Sequence, residues 1–247
     1  MAVIETEALI LRTYNLAEAD KIVVCLTKSQ GLIRGVAKGC RKLRNRFGAS
    51  LEPFTLINLT YYAKENQELV SFRQTEILRS HFNLSADATI LTGLAYIGDL
   101  LIEFSPPHQA NQTLFRMTSA CLDAISAFPS ELQTVLRYFE VWLLKIEGFL
   151  PDLKRCAECH KQFGEESVYM AADLGLRCDS CRDGRAGTIS KRLHAHLRTI
   201  ERLPPTKFAE HANEINNQTK REMAELTHQL IGRVLERSPR VRPTFVQ

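Results

Sequence analysis

Four cysteines form two C-x-x-C pairs, Cys156 with Cys159 and Cys178 with Cys181, and eighteen residues separate the pairs. Each pair makes a tight knuckle that directs two thiolates to one point, and the residues between the pairs can fold as a hairpin that joins the knuckles. Four thiolates arranged in this way fit one tetrahedral zinc ion. The sequence therefore predicts a structural zinc site whose ligands are Cys156, Cys159, Cys178 and Cys181.

Other uses of these cysteines agree less well with the pattern. A redox dithiol needs only one C-x-x-C, usually at the start of a helix, and the polar surroundings of these pairs predict no helix there. Catalytic zinc keeps an open coordination position, which four thiolates do not leave. His160 directly follows Cys159 and is expected to be a solvated loop residue rather than a ligand. Disulfide or redox use remains the alternative to structural zinc.

A second segment of interest is rich in basic residues. No acidic residue occurs between Asp20 and Glu52, whereas eight lysines and arginines do, six of them at positions 34–46. Glycines interrupt this stretch and the strand pattern lapses, which indicates a loop. Such a loop can follow a phosphate backbone, because each neutralised phosphate releases counterions. The residues predicted to contact DNA are Arg34, Lys38, Arg41, Lys42, Arg44 and Arg46.

Phe47 directly follows the last arginine of this stretch. It either offers a stacking face to an unpaired base or belongs to a hydrophobic core. The basic loop also has two interpretations, because surface charges are often only solvated. A protein-interaction scaffold whose basic surfaces bind an acidic peptide is the alternative to nucleic-acid binding.

Motifs of common enzyme classes are absent from the sequence. It contains no phosphate-binding loop ending in Gly-Lys-Ser/Thr, no G-x-S-x-G motif and no H-E-x-x-H pair. His194 and His196 would lie on different faces of a helix, so both are expected to be solvated. Asp99 and Glu103 are expected to be ordinary surface charges at i, i+4 spacing. The sequence therefore favours a protein without an active site.

The charge of the chain is distributed unevenly. The 247 residues are 45% hydrophobic, an ordinary value for a folded globular protein, and the net charge is +4. Residues 1–80 carry +4, residues 81–184 carry −6 and residues 185–247 carry +6. Two basic ends beside an acidic middle indicate a polyanionic partner for the basic parts.

The three remaining cysteines and the lengths of the apolar runs indicate the cellular compartment in which the protein is expected. Cys25, Cys40 and Cys121 are scattered along the chain and are expected to be unpaired thiols, a pattern that suits a reducing cytoplasm. Residues 1–7 include acids and no basic start, unlike a secretory signal. No apolar run approaches the length needed to cross a bilayer. The expected location is the cytoplasm.

The first eighty residues have the pattern of short β-strands. Five segments are enriched in Val, Ile, Thr, Tyr and Phe, and turn-forming residues separate them. Five short strands in a small domain predict a closed barrel of the oligonucleotide-binding (OB) type, with an SH3-like barrel as the alternative. The predicted strands cover residues 7–13, 22–27, 32–37, 55–62 and 68–73, with turns at 29–31, 48 and 65–66.

Helical periodicity begins near residue 85. Apolar residues recur at helical spacing to residue 104, with Ser85 as the predicted N-cap and a stop at Pro106 and Pro107. Two further helices are expected before residue 128 and from 130 to 148, and Trp142 in the latter is expected to be a core residue. After the cysteine pairs, residues 190–203 and 219–237 also have helical character.

Together these patterns predict an α+β multidomain protein. An N-terminal five-stranded OB-type β-barrel is expected at residues 1–80, and a C-terminal α-helical domain at residues 81–150 and 185–240. The four-cysteine zinc module is expected as an insertion at residues 151–184, because the apolar faces of the later helices need the earlier helices as partners. The tail, residues 238–247, is expected to be loosely held.

Several motifs of the chain occur together in one known family. They are Glu18-Ala19-Asp20-Lys21-Ile22-Val23, residues 31–39, Arg46-Phe47-Gly48, Leu51-Glu52-Pro53-Phe54 and residues 147–153 leading to the first cysteine pair. In this combination the chain resembles, over nearly its full length, the bacterial DNA repair protein family RecO. Two positions depart from the family pattern. Asn45 stands where the family often has Ser, and His160 stands where Gly usually follows the second cysteine.

The resemblance implies a non-enzymatic recombination mediator with an OB domain, a helical domain and one structural Zn²⁺. Such a protein would bind single- and double-stranded DNA, anneal complementary strands and contact the single-stranded-DNA-binding protein (SSB). It would work with a RecR-type mediator protein to load RecA on SSB-coated strands. A cytoplasmic, nucleoid-associated location is implied, and the basic C-terminal helices are a second candidate contact region for DNA.

Overall fold

The computed structural model describes residues 2–63, 68–164, 166–184 and 186–236. The turn expected at 65–66 and the tail at 238–247 lie outside these ranges. The chain divides into two compact units, the first ending at Leu122 and the second beginning at Asp123. The domain boundaries predicted near residues 80, 150 and 184 stay a prediction.

Five strands of the first unit close into a barrel. The strand β1 pairs antiparallel with β2 and β4, and β5 completes the barrel by pairing parallel to β3 and antiparallel to β4. This architecture confirms the predicted five-stranded OB-type fold. The strands are β1 (Ala2–Leu16), β2 (Asp20–Thr27), β3 (Gly31–Ala37), β4 (Leu56–Ala63) and β5 (Leu69–Arg79).

Strand β1 is about twice as long as its sequence pattern predicts. It is long because its two ends pair with different strands: residues 2–9 pair with β4, and residues 8–16 pair with β2. The register between β1 and β2 shifts between Ile10 and Arg12, as at a β-bulge, which bends a strand and increases its twist. Long, curved strands of this kind allow a sheet of five strands to close into a barrel.

Apolar side chains from all five strands fill the barrel interior. Strands β3 and β5 pack tightly where Gly35 lies under the ring of Phe72: a Cβ atom at position 35 would be 2.1 Å from a ring carbon. Glycine therefore leaves the space that this aromatic ring occupies. The buried cluster comprises Ala8, Ile10, Val23, Cys25, Ile33, Ala37, Phe47, Leu51, Ile57, Leu59, Tyr61, Val70 and Phe72.

Two helices follow the barrel, α1 (Ala88–Phe104) and α2 (Gln112–Ala127), and the two compact units divide within α2. The N-cap of α1 is Asp87, whose side chain accepts hydrogen bonds from the backbone N–H groups of Thr89 and Ile90. The prediction of Ser85 as the cap is therefore wrong by two residues. The predicted stop before Pro106 is confirmed.

Asp99 of α1 is buried and forms an ion pair with Arg12 of β1. The expectation that Asp99 is an ordinary surface charge is therefore wrong. A carboxylate on the buried face of a helix needs a partner, and Arg12 supplies it from the barrel wall.

Four more helices lie in the described part of the second unit. Helix α3 packs against α4, α5 and α6, and two of its aromatic side chains donate hydrogen bonds to backbone carbonyls. Tyr138 Oη donates to Leu203 O at 2.8 Å, and Trp142 Nε1 donates to Ile200 O at 3.0 Å. Trp142 is partly buried and has this structural role. The helices are α3 (Leu132–Ile146), α4 (Lys191–Ile200), α5 (Pro205–Glu210) and α6 (Asn217–Val234).

A small antiparallel sheet lies between α3 and α4 in the sequence. Its strands are β6 (Val168–Met170), β7 (Leu176–Arg177) and β8 (Gly187–Ile189), in the spatial order β7-β6-β8. Strands β6 and β7 form the hairpin predicted between the two cysteine pairs.

Cys25, Cys40 and Cys121 are free thiols. Cys25 and Cys121 are fully buried, and this burial raises the pKa of both thiols. Within the described ranges, no helix combines the length and the apolar character that a membrane span requires.

Candidate metal centre and candidate nucleic-acid interface

The four cysteines predicted as metal ligands come together in the second unit. Their Sγ atoms all lie within 4.8 Å of one another, and Sγ of Cys159 is 3.7 Å from Sγ of Cys178. Zinc–sulfur bonds of about 2.3 Å in a tetrahedron place neighbouring sulfurs about 3.8 Å apart. The donor set and the spacing therefore fit one tetrahedral metal ion.

Backbone hydrogen bonds form the first knuckle. The N–H of His160 donates to Cys156 O at 3.0 Å, and the N–H of Cys156 donates to Lys161 O at 2.9 Å. His160 is exposed and has a positive φ of 59°. This left-handed conformation favours glycine. His160 therefore keeps the hydrogen bonds of the turn but has a strained backbone conformation.

The second knuckle begins where β7 ends. The N–H of Cys181 donates to Cys178 O at 3.0 Å and closes this turn. Two contacts join the knuckles: the N–H of Ala157 donates to Leu176 O at 2.7 Å, and the N–H of Cys178 lies 3.5 Å from Cys156 Sγ. The β6–β7 hairpin therefore determines the distance between the two cysteine pairs.

Two thiols of this cluster, Cys156 and Cys181, have pKa values shifted in opposite directions. Burial raises the pKa of Cys156, but N–H donors that include those of Cys159 and Cys178 outweigh burial and lower this pKa to about 6. Hydrogen bonds with Cys159 and Cys178 raise the pKa of Cys181 to about 12. Thiolates at these distances repel one another, and a bound divalent cation offsets this electrostatic repulsion.

His194 connects the cysteine module to helix α4. It is only 6% exposed, its Nε2 atom lies 2.7 Å from Leu153 O, and its ring meets that of Phe163 edge-on at 5.6 Å. The expectation of a solvated side chain is therefore wrong for His194. The helical spacing of Leu193 and Leu197, both buried neighbours on α4, was a signal that this part of the helix faces inward.

The six basic residues predicted to contact DNA are all exposed in the first unit. Arg34 lies on β3, and the other five lie in the segment 38–46 that follows this strand, which we call the basic loop. The side chains of four of the six have no hydrogen-bond or ion-pair partner in the described part of the chain. These four are Arg34, Lys38, Lys42 and Arg44.

The other two basic residues attach the loop to the barrel. Arg41 Nη1 donates to Ala17 O at 3.1 Å. Arg46 Nη2 donates to Phe72 O at 3.2 Å, and its guanidinium carbon lies 4.9 Å from the centre of the Phe47 ring, a cation–π contact. The structure therefore separates the predicted set into four free cations and two with structural contacts.

Phe47 is a core residue. It is 4% exposed and belongs to the buried cluster of the barrel, so the interpretation as a base-stacking platform is wrong. Asn45 directs the chain inward here, because its Oδ1 atom accepts the N–H groups of Phe47 at 2.9 Å and Gly48 at 2.8 Å.

Fold and site together define a class of protein: an OB-type barrel with a basic loop, followed by a helical unit that carries a four-cysteine candidate metal centre. Residues 1–81 match the family model described as Recombination protein O N terminal, and residues 85–243 match the one described as Recombination protein O C terminal. The chain belongs to the RecO family, and the resemblance seen in the sequence is confirmed.

Individual relatives agree with this family. The chain is 33% identical over 205 residues to the DNA repair protein RecO of Koribacter versatilis (strain Ellin345), a match that covers 83% of each chain. It is 31% identical over 187 residues to the DNA repair protein RecO of Anaeromyxobacter sp. (strain K), covering 75% of this chain and 73% of that relative.

Proposed function

We propose that this protein is a DNA-binding recombination mediator that acts in DNA repair. Its relatives carry the name DNA repair protein RecO. The observation that carries the proposal is the group of free cations Arg34, Lys38, Lys42 and Arg44, exposed on an OB-type barrel. No acidic residue occurs between Asp20 and Glu52 to neutralise them from within the segment. Single- and double-stranded DNA supply the phosphates that such a surface binds.

The metal of the candidate centre is proposed to be one structural Zn²⁺. Four thiolates are the donor set that zinc takes in closed structural sites. A closed site leaves no position for an activated water, so the proposed zinc would be structural rather than catalytic. The proposed mediator role is non-enzymatic. The ion would stabilise the module that His194 connects to α4.

The proposed partners are SSB, a RecR-type mediator protein and RecA. In this scheme the protein anneals complementary strands and, with its RecR-type partner, helps to load RecA on SSB-coated strands in the cytoplasm, at the nucleoid. Annealing requires two strands to be held at once. Lys191 and Arg192 are exposed at the start of α4 and supply a second basic surface for this purpose.

The test compares two double variants that remove the same charge. Lys42→Gln with Arg44→Gln removes two free cations of the basic loop, and Arg116→Gln with Lys207→Gln removes two exposed cations elsewhere. Affinity for a single-stranded oligonucleotide and for a duplex is measured at several salt concentrations. The loop variant should bind the single strand and the duplex more weakly than the wild type, and its salt slope for the single strand should be lower by about 1.4. The control variant should bind like the wild type.

Equal slopes for the wild type and the loop variant would show that this surface does not bind DNA. Saturation by a short acidic peptide, with negligible oligonucleotide binding, would support a protein-interaction scaffold instead. The same two variants should be compared in an annealing assay with SSB-coated complementary strands, where the loop variant should be slower.

A further inference from the structure

Leu43 is the most exposed large apolar residue that the structure describes. Its exposure is 101% of the reference value, whereas the next most exposed, Phe82, reaches 62%. It lies between Lys42 and Arg44, both exposed cations of the basic loop. A leucine in this position makes no contribution to the core of the barrel, although hydrogen bonds hold the loop around it.

Hydrogen bonds fix the loop on both sides of Leu43. Before it, the N–H of Gly39 donates to Asp20 Oδ1 at 2.7 Å, and the N–H of Lys42 donates to Gly39 O at 3.1 Å. After it, Asn45 Nδ2 donates to Lys42 O at 3.0 Å. The bond from Asn45 to Lys42 spans the tip, so Leu43 and Arg44 project from a closed turn.

The neighbours of Leu43 indicate what could cover it. The side chains of Lys42 and Arg44 have no partner in the described part of the chain and attract an anionic polymer. Of such polymers, nucleic acid also carries apolar surfaces, the faces of its bases. Apolar side chains on basic nucleic-acid-binding surfaces can insert between bases, and the energy of the new contacts offsets the lost stacking.

We propose that Leu43 inserts between neighbouring bases of a strand whose phosphates are bound by Lys42 and Arg44. This inference rests on the proposed function, because the cations must first bring the strand to the loop. The insertion separates stacked bases and holds the strand with its bases unstacked. Single-stranded DNA is the preferred ligand at this position, because its bases unstack at lower cost than those of a duplex.

The test uses Leu43→Gln, which keeps the approximate size of the side chain but makes it polar. Affinity is measured for a single-stranded oligonucleotide and for an abasic strand of equal length, which has the phosphates without the bases. The variant should bind the base-bearing strand about tenfold more weakly. Its affinity for the abasic strand and its salt slope should equal those of the wild type.

A strand containing 2-aminopurine gives a second readout, because the fluorescence of this base rises when it unstacks. Wild-type protein should raise the fluorescence, and Leu43→Gln should raise it much less at saturation. Since Leu43 is fully exposed, the midpoint of urea unfolding should be the same for both proteins. A lower midpoint together with equal losses on both strands would overturn the proposal in favour of a disturbed loop.

Other outcomes separate this inference from the proposed function. If Leu43→Gln binds and unstacks the base-bearing strand like the wild type while the Lys42→Gln, Arg44→Gln variant is weakened, insertion is wrong and DNA binding by the loop stands. If neither variant changes DNA affinity, the loop itself is not the DNA surface. If Leu43→Gln loses only binding to vesicles containing phosphatidylserine, the loop contacts membranes and base insertion is excluded.

Discussion

The imidazole Nε2 of His194 lies 2.7 Å from the carbonyl oxygen of Leu153, and both residues are buried. Leu153 is three residues before Cys156, and His194 lies in the first turn of α4. The contact therefore joins the segment that leads into the candidate metal centre to a helix of the same unit. Because the carbonyl can only accept, the hydrogen bond requires the proton of His194 to be on Nε2.

We expect His194→Ala to lower the free energy of unfolding of the second unit by about 1–3 kcal/mol. The substitution leaves the buried carbonyl of Leu153 without its donor and removes the ring that contacts Phe163. Urea unfolding followed by circular dichroism measures the effect on metal-loaded protein. His211→Ala is the control, since His211 is exposed, and it should change stability little. Similar losses in both variants would contradict a specific role for His194.

The metal centre should contain about one zinc per chain, measured by elemental analysis of purified protein. Chelation should lower the melting temperature of the second unit, because metal binding is coupled to folding. Cys178→Ser should have the same lowered melting temperature and no further response to chelator. Cys40→Ser, which changes a free thiol in the first unit, should bind zinc and respond to chelator like the wild type. Wild-type protein without metal would refute the assignment.

A buried ion pair on helix α3 is hydrogen-bonded to α6. Arg137 Nη2 lies 2.9 Å from Glu140 Oε1, Glu140 is fully buried, and Thr227 Oγ1 donates to its other oxygen. We expect Glu140→Ala to lower the free energy of unfolding by about 3–5 kcal/mol, because it leaves the buried guanidinium of Arg137 without its carboxylate. The double variant Arg137→Met, Glu140→Leu should recover most of this loss in urea unfolding. A double variant as unstable as Glu140→Ala would show that the pair itself supplies stability.

Features with local signals could be predicted from the sequence. Strand patterns in the first eighty residues predicted the barrel, and the spacing of the cysteines predicted their convergence, because a hairpin and two knuckles are formed by residues close in the sequence. The basic loop was visible as a run without acids. The exposure of the loop agreed with this pattern. The sequence did not indicate which basic residues of the loop would have partners, because Arg41 and Arg46 bind the carbonyls of Ala17 and Phe72, which are distant along the chain.

Residues whose environment depends on distant partners were missed. Asp99 and His194 looked like surface residues because their partners, Arg12 and Leu153, are far away in sequence. Glu140 was missed although its ion-pair partner Arg137 is only one turn away, because burial of the pair and the hydrogen bond from Thr227 follow from packing of α3 against α6. Periodicity predicts which face of a helix is apolar, whereas a buried polar residue is explained only by its partner.

The two kinds of arginine in the basic loop should respond differently to substitution. Arg46→Ala should lower the stability of the barrel by about 1 kcal/mol, because it removes the bond to Phe72 O and the contact with the Phe47 ring. Arg44→Ala should leave stability unchanged and weaken DNA binding. Thermal unfolding and oligonucleotide affinity are measured for both variants. Equal stability of the two variants would show that Arg46 does not help to attach the loop.

The backbone at His160 provides a test of strain beside the metal centre. Its φ of 59° is easily reached by glycine but costs a residue with a Cβ atom about 1 kcal/mol. We therefore expect His160→Gly to raise the stability of the metal-loaded protein by up to about 1 kcal/mol, measured in urea at constant zinc. His160→Ala is the matched control, since it removes the imidazole but keeps the strain, and it should show no gain. If Ala and Gly stabilise equally, the imidazole rather than the backbone is unfavourable at this position.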